Sequence, residues 1–485
     1  MRKLSSSRQV TSLLCTAVLL SSCGGGGGSS SGGSSTPPPV VVAPPPTPTP
    51  PTSNACSLSA RLDWVAAQIR NDYLFPELLA NISPAGYTDI QQFIDDLTAP
   101  ARAAGKDKLG FTYVTSIAEE EALTNSGSSA GYGIRLFYQG NRVFVSEAYE
   151  GAPGLAAGLD RGVEILAVGT SAATLQNVSD LIASGGNQAV SAAIGPSEAG
   201  LSRTFRIRST NGTESVITAV KANYALDPVS DRYGSRILTD GGKRVGYVNL
   251  RTFIVGNADQ QLRTVFADFK AQGITEVIID LRYNGGGLVS VAETLTNLLG
   301  ANRTSSDVQS KTVFNARLAS NNRTIYFAPQ PQSIAPTKIA FIGTTATASA
   351  SEFVMNALIP YYGANVGLIG TNTYGKPTGQ IRRDRPECDD ALRVIAFKTV
   401  NRDNNEEYFN GLASSFQRTC RATDDLSRQF GDPEETSIKT ALDFLAGRPC
   451  TPIATGAGTL AVSESRRMLQ PQKPSAAQRE VPGLF

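Results

Sequence analysis

IAFIGTTATASASEFVMNAL, residues 339–358, runs from an apolar stretch through a Ser- and Thr-rich turn into a second apolar stretch. Ile339 to Ile342 has the composition of a strand covered on both faces. Beyond the turn, Phe353, Val354, Ala357 and Leu358 fall at helical spacing. A strand that re-emerges as a helix is one unit of an α/β layer. The same unit recurs on either side. Arg244 to Leu250 reads as a strand, and Leu262, Val265, Phe266 and Phe269 form one helix face. Val277-Ile278-Ile279 is a further buried strand, followed by a glycine turn and a helix through Val291, Leu295 and Leu298. Val366 to Ile369 adds another strand. Residues 225–450 are thus predicted to form an α/β core, with its unusual residues in loops at strand ends.

Three such loops stand out: DLRYNGGG (280–287), TTATASASEF (344–353) and GTNTYGKPTGQ (370–380). The chain contains no histidine, which removes every Ser-His-Asp and Cys-His mechanism and the usual imidazole ligands of zinc. A hydroxyl nucleophile then needs another base, and a desolvated lysine can serve, because burial disfavours the ammonium form. Ser349, just before a helix, has free N–H groups beside it where negative charge would develop. The Gly285-Gly286-Gly287 turn offers a second donor, since glycine lets a substrate approach the backbone.

Other readings of these stretches fare worse. Gly370, Gly375 and Lys376 fit the start of a phosphate-binding loop, but Pro377 stands where that loop needs a hydroxyl. Gly127-Ser128-Ser129-Ala130-Gly131 matches G-x-S-x-G, yet that motif requires a histidine base. Ser351 competes with Ser349 on chemistry alone. Asp280 and Arg282 can also be read as a structural ion pair at a strand end.

Taken together and in order, the three loops resemble those of the carboxyl-terminal processing peptidases, or tail-specific proteases. The resemblance covers well over half the chain. It implies that Ser349, in Ser349-Ala350-Ser351-Glu352, is the nucleophile, that Lys376 is its base and that Gln380 orients the lysine amine. It implies oxyanion donors at Ala350 and at Gly286 or Gly287. The implied core is of the ClpP/crotonase-like type, the implied activity is that of a serine endopeptidase cutting proteins near their C-termini, and no cofactor or metal is implied. This sequence departs from the family in having Pro377 where a glycine is usual, and in a slightly longer spacing from Ser349 to Lys376. A non-catalytic peptide-binding scaffold is the alternative.

Residues 129–224 turn to short strands and glycine turns and resemble a PDZ domain. Gly131-Tyr132-Gly133-Ile134 matches the loop whose N–H groups receive a peptide carboxylate, and residues 152–159 match the helix-and-turn segment of bacterial PDZ domains. The implied partners are protein or peptide substrates with free C-termini. Residues 56–128 read mainly as helices, with apolar stripes through Leu62, Val65, Ile69 and Leu74 and through Phe93, Ile94 and Leu97. The whole chain is therefore expected to be a multidomain α+β protein: a helical segment, a PDZ-like β-rich domain and the α/β core.

Arg2, Lys3 and Arg8 precede a short apolar stretch, and Leu20-Ser21-Ser22-Cys23 resembles a bacterial lipobox. That resemblance implies a signal peptide over 1–22, lipidation of Cys23, and a place in the bacterial cell envelope. Gly24 after the cysteine favours the outer membrane, facing the periplasm or the cell surface. Residues 23–55 are Gly/Ser- and then Pro-rich, a tether that cannot build a core. A net charge of +2 gives no nucleic-acid footprint. Cys56, Cys388, Cys420 and Cys450 allow three disulfide connectivities in an exported protein. Cys388–Cys420 with Cys56–Cys450 is the first expectation. The polar tail, 451–485, is expected to be disordered.

Overall fold

The computed structural model describes residues 54–108, 110–454 and 466–485. The expected signal peptide, Cys23 and the tether up to residue 53 lie outside the described residues. Among these, no helix is long and apolar enough to cross a membrane.

The core is built on a six-stranded sheet whose spatial order follows the chain: Ser235–Asp240, Lys243–Asn249, Glu276–Asp280, Lys338–Gly343, Val366–Gly370 and Arg418–Arg421. The first two strands form an antiparallel hairpin, and every later neighbour is parallel. Helices Ala258–Ala271, Val289–Leu298 and Ala350–Tyr362 cover one face through Phe266, Leu295 and Val354. Helix Thr436–Ala446 covers the other through Ile438, Leu442 and Phe444. Burial on both faces explains the uninterrupted apolar runs in the middle strands. In-register parallel pairing, Asp280 with Ile342 and Gly343 with Gly370, brings the three unusual loops out at one end of the sheet.

A second, antiparallel sheet was not legible in the sequence. It orders Tyr113–Ser116, Asp390–Val400, Val308–Phe314 and Arg323–Tyr326, with Thr378–Arg385 also pairing to Asp390–Val400. Helices Leu58–Asp72 and Ile90–Ala103 pack on it through Leu62, Ile69, Phe93 and Leu97 against Leu392, Val394 and Ile395. The helical segment expected over 56–128 is present, and it also supplies one strand to this sheet.

The β-rich domain expected over 129–224 begins and ends in a two-stranded pairing of Ser128–Gly131 with Ala222–Ala225. Its main sheet runs through Ile134–Gln139, Arg142–Ala148, Glu164–Gly169, Ser202–Arg208 and Glu214–Val220, with helix Val178–Ile194 packed on it.

Two expectations are corrected. The disulfides are Cys56–Cys388 and Cys420–Cys450, each with a Cα–Cα distance of 5.4 Å. Cys388 lies in a turn against residues 54–56, where Arg385 also reaches the Ala60 carbonyl. Cys420 lies in the edge strand whose neighbour Arg421 bonds to Thr451, so each cysteine meets the partner that its own sheet delivers. The tail is not disordered where it is described. Arg467–Met468 is a strand, Ala476–Glu480 is a helix, and Leu469, Val481, Leu484 and Phe485 are buried. Those four apolar side chains, spread through polar sequence, supply the burial that anchors it.

Candidate active site

The Ser349 turn leaves the strand Lys338–Gly343 and enters the helix Ala350–Tyr362. Ser349 is the N-cap of that helix and has φ 55° and ψ −115°. A positive φ on a residue with a side chain costs on the order of 1–3 kcal/mol and persists only where neighbours enforce it. Here they do. The Asn284 carbonyl accepts from Ala348 N (3.1 Å) and from Ser351 Oγ (2.9 Å). Thr347 Oγ1 donates to the Leu281 carbonyl at 2.7 Å. The glycine turn is thereby stitched to the serine turn on both sides of Ser349. Ser351, fully buried and committed to Asn284, is excluded as the competing nucleophile.

A side chain at Gly286 would bring its Cβ to 2.8 Å from Ser349 Cβ, so only glycine lets the two turns approach. Of the expected oxyanion donors, Gly286 is ruled out as a free N–H, because it donates to Asn284 Oδ1 at 2.9 Å. Gly287 and Ala350 give their N–H groups to no acceptor among the described residues. Ala350 is the first residue of its helix and so has no acceptor within it.

Lys376 follows Gly375, whose φ is 90° and whose Cα faces the Phe409 carbonyl so closely that a Cβ would stand 2.3 Å from it. The lysine is buried. Its Nζ donates to Gln380 Oε1 at 3.0 Å and lies 3.6 Å from the centre of the Phe111 ring. Gln380 Nε2 in turn donates to the Phe111 carbonyl at 2.5 Å, which fixes the amide so that its oxygen faces the amine. Burial pulls the lysine down to about 8, against the smaller opposing pull of Glu480 and Asp107. No phosphate loop forms here: a strand, Thr378–Arg385, begins where such a loop would start a helix.

Glu352 joins the two turns. Its fully buried carboxylate accepts from Ser349 N (3.1 Å), Lys376 N (2.7 Å), Gly375 N (2.8 Å) and Thr373 Oγ1 (2.6 Å). One oxygen, Oε2, serves both the Ser349 and the Lys376 backbones. Burial raises its pKa while these four donors pull the other way. Sequence reasoning quoted Glu352 in a motif but gave it no role, and it missed Phe111 altogether. Only the helix-start position of Glu352, three residues after the serine, hinted at a carboxylate turned back onto the Ser349 amide. Among the described residues no hydrogen bond links Ser349 Oγ to Lys376 Nζ; free enzymes often show such contacts loosened.

Asp280 and Arg282 take the structural reading. Arg282 is buried against Asp280 (2.8 Å), Asp424 (2.8 Å) and Glu435 (3.0 Å). Asp424 is held well below the usual carboxylate range by Arg161 and Arg282 despite its burial. Arg161 and Arg135 come from the β-rich domain and bond to Tyr283 at its hydroxyl (3.0 Å) and carbonyl (2.6 Å). The glycine turn is therefore pinned from both domains.

Residues 244–414 match the sequence profile of peptidase family S41, a span that holds all three loops. Over this span the chain is similar to peptidase family S41. It is 27% identical over 263 residues to the chloroplastic C-terminal processing peptidase of Tetradesmus obliquus, covering 52% of each chain. It is 26% identical over 282 residues to a carboxyl-terminal-processing protease of Picosynechococcus sp., covering 57% of this chain and 62% of that one. The chain thus matches between about half and six tenths of the length of these curated relatives. A Bacteroides fragilis protein described as an S41 protease shares the fold in its crystal structure, with a TM-score of 0.61 at 23% identity over 79% of this chain and 97% of that one.

Proposed function

We propose that this chain is a serine endopeptidase that cuts proteins near their C-termini with Ser349 as nucleophile and Lys376 as base. The observation that carries this reading is the Lys376 amine: buried, in no ion pair among the described residues, held by Gln380, and on a backbone that Glu352 ties to the strained Ser349 turn. In the neutral form Lys376 Nζ takes the Ser349 proton as Oγ bonds to the scissile carbonyl carbon. The Ala350 and Gly287 N–H groups receive the oxyanion. As the C–N bond breaks, the ammonium returns its proton to the departing amine, leaving an acyl-serine. Lys376 then deprotonates a water that hydrolyses the ester. With a pKa of about 8, roughly a tenth of the lysine is neutral at pH 7. Gln380 and Phe111 O act as positioning groups, and Glu352 holds the two turns in register.

The β-rich domain acts in this reading as a PDZ-like module, with residues 131–134 receiving the substrate's terminal segment. The lipobox resemblance at Cys23 supports a lipid-anchored envelope protein, held off the membrane by the Pro-rich tether. Ser349→Ala tests the reading: the variant should melt like the parent and lose cleavage of an unstructured protein by on the order of 10⁴-fold or more. Cleavage at the parental rate would sink it.

A further inference from the structure

The expected peptide-receiving loop is not empty. Tyr132 N and Ile134 N both donate to the Phe485 carbonyl oxygen, at 3.0 and 3.2 Å, and Phe485 N donates back to the Ile134 carbonyl at 2.9 Å. Leu136 N donates to the Gly483 carbonyl at 2.7 Å, and Arg135 bridges antiparallel to Leu484. Residues 483–485 are thus an added strand on the edge of Ile134–Gln139, the geometry by which an extended peptide augments a sheet. The side chains are placed as a ligand's would be. Phe485 is 1% exposed within the domain core, beside Tyr132, Ile134 and Phe205, and Gly131 has no room for a Cβ because Phe485 C would lie 2.8 Å away.

The same segment also reaches the active site. Pro482 and the Glu480 carbonyl lie 3.1 and 3.2 Å from where a Cβ on Gly285 would be, so the segment rests on the glycine turn. Glu480 accepts from the Tyr113 hydroxyl at 2.8 Å, and its charge is the largest influence that favours the ammonium form of Lys376. The segment thus fills the groove at one end and rests on the glycine turn beside Ser349 at the other.

We infer that residues 481–485, Val-Pro-Gly-Leu-Phe, are a tethered self-ligand of the PDZ-like groove, and that an incoming peptide with a large apolar residue at the Phe485 position must displace them before cleavage. This rests on the PDZ-like, peptide-cutting reading given above. A tether presents its ligand at ~1 mM, so an intrinsic Kd on the order of 10 μM keeps the groove open about 1% of the time. Displacement then sets the threshold for substrates.

The test uses the whole protein carrying Ser349→Ala, so that binding is read without cleavage. The probe is a fluorescent Val-Pro-Gly-Leu-Phe peptide with a free carboxylate. The expected result is that adding Phe485→Asp tightens probe binding by at least about ten-fold. In the Ser349 background the same substitution should speed reporter-protein cleavage several-fold. Unchanged or weaker binding by a folded Phe485→Asp protein would overturn the inference. Should that variant misfold, hydrogen exchange on the protein with an unaltered tail decides. Saturating probe should deprotect the Leu484 and Phe485 amides while the Ile279 and Phe341 amides stay protected. Persistent protection at saturation, or no saturable binding, would make the segment a permanent strand and overturn the inference. Failure of probe binding with Ser349-dependent cleavage intact removes the self-ligand alone. Probe binding without any Ser349-dependent cleavage removes the peptidase instead.

Discussion

Two lysines are buried among the described residues, Lys376 in the core and Lys221 in the β-rich domain, and burial pulls both amines down to about 8. Their surroundings differ. Lys221 Nζ donates to two carbonyls, Gly195 O and Pro196 O, both at 2.7 Å, and stands 5.0 Å from the Tyr132 ring. It ties a helix end to the sheet. Lys376 has one fixed acceptor, Gln380 Oε1, and a carboxylate, Glu352, that holds its backbone to that of Ser349. Burial alone lowers a lysine; what sets Lys376 apart from Lys221 is a single side-chain acceptor in place of two carbonyls, and a backbone held by Glu352 to the strained Ser349 turn.

The largest contrast should come from removing each amine. Lys376→Met should reduce kcat/KM on a reporter protein by on the order of 10⁴-fold. Lys221→Met should leave kcat/KM within about two-fold and cost about 1–2 kcal/mol of stability through two carbonyls left without donors. Equal losses of activity in both variants would erase the distinction. Next in size is Glu352→Gln, which trades an acceptor-only carboxylate for an amide facing four donors. It should lower kcat by about 10²-fold with little change in KM, since turn register and not substrate contact is lost. A KM effect alone would show that Glu352 does something else. The smallest effect is a displacement of the pH profile. With neutral Lys376 as the proposed base, kcat/KM should climb with pH through about 8 and then level. Gln380→Glu places an anion on the amine, favours the ammonium, and should move that limb upward by about one unit or more. A downward shift, or none, would separate Gln380 from the base.

Much of the α/β core was legible in the sequence, for physical reasons. The strands around Val277–Ile279, Ile339–Ile342 and Val366–Ile369 are covered on both faces, and so write themselves as apolar runs. Ser349 and Lys376 lie in loops that follow those strands, and the roles expected of them and of Gln380 rest on the family resemblance. The pieces that could not be read are joined over long separations. Phe111 meets Gln380 across 269 residues, and Cys56 meets Cys388 across 332. Those contacts exist only once the antiparallel sheet around Asp390–Val400 has formed, and nothing local to Phe111 or Cys56 encodes it. The tail misled for the opposite reason: its composition is polar on average, while Leu469 and Phe485 join the core of the β-rich domain and Val481 and Leu484 a cluster with Tyr149, Tyr224 and Ile254. Gly286 was misjudged because side-chain capture of its N–H by Asn284 leaves no trace in a glycine run.

The central claim is that a neutral Lys376 activates Ser349, and labelling by a serine-reactive phosphonate, located by peptide mass mapping, tests it most directly. The expected result is a single adduct on Ser349, formed faster as pH rises through about 8, lost in Lys376→Met and retained in Lys221→Met. An adduct on Ser349 that forms equally fast in Lys376→Met, with no pH dependence, would contradict the account.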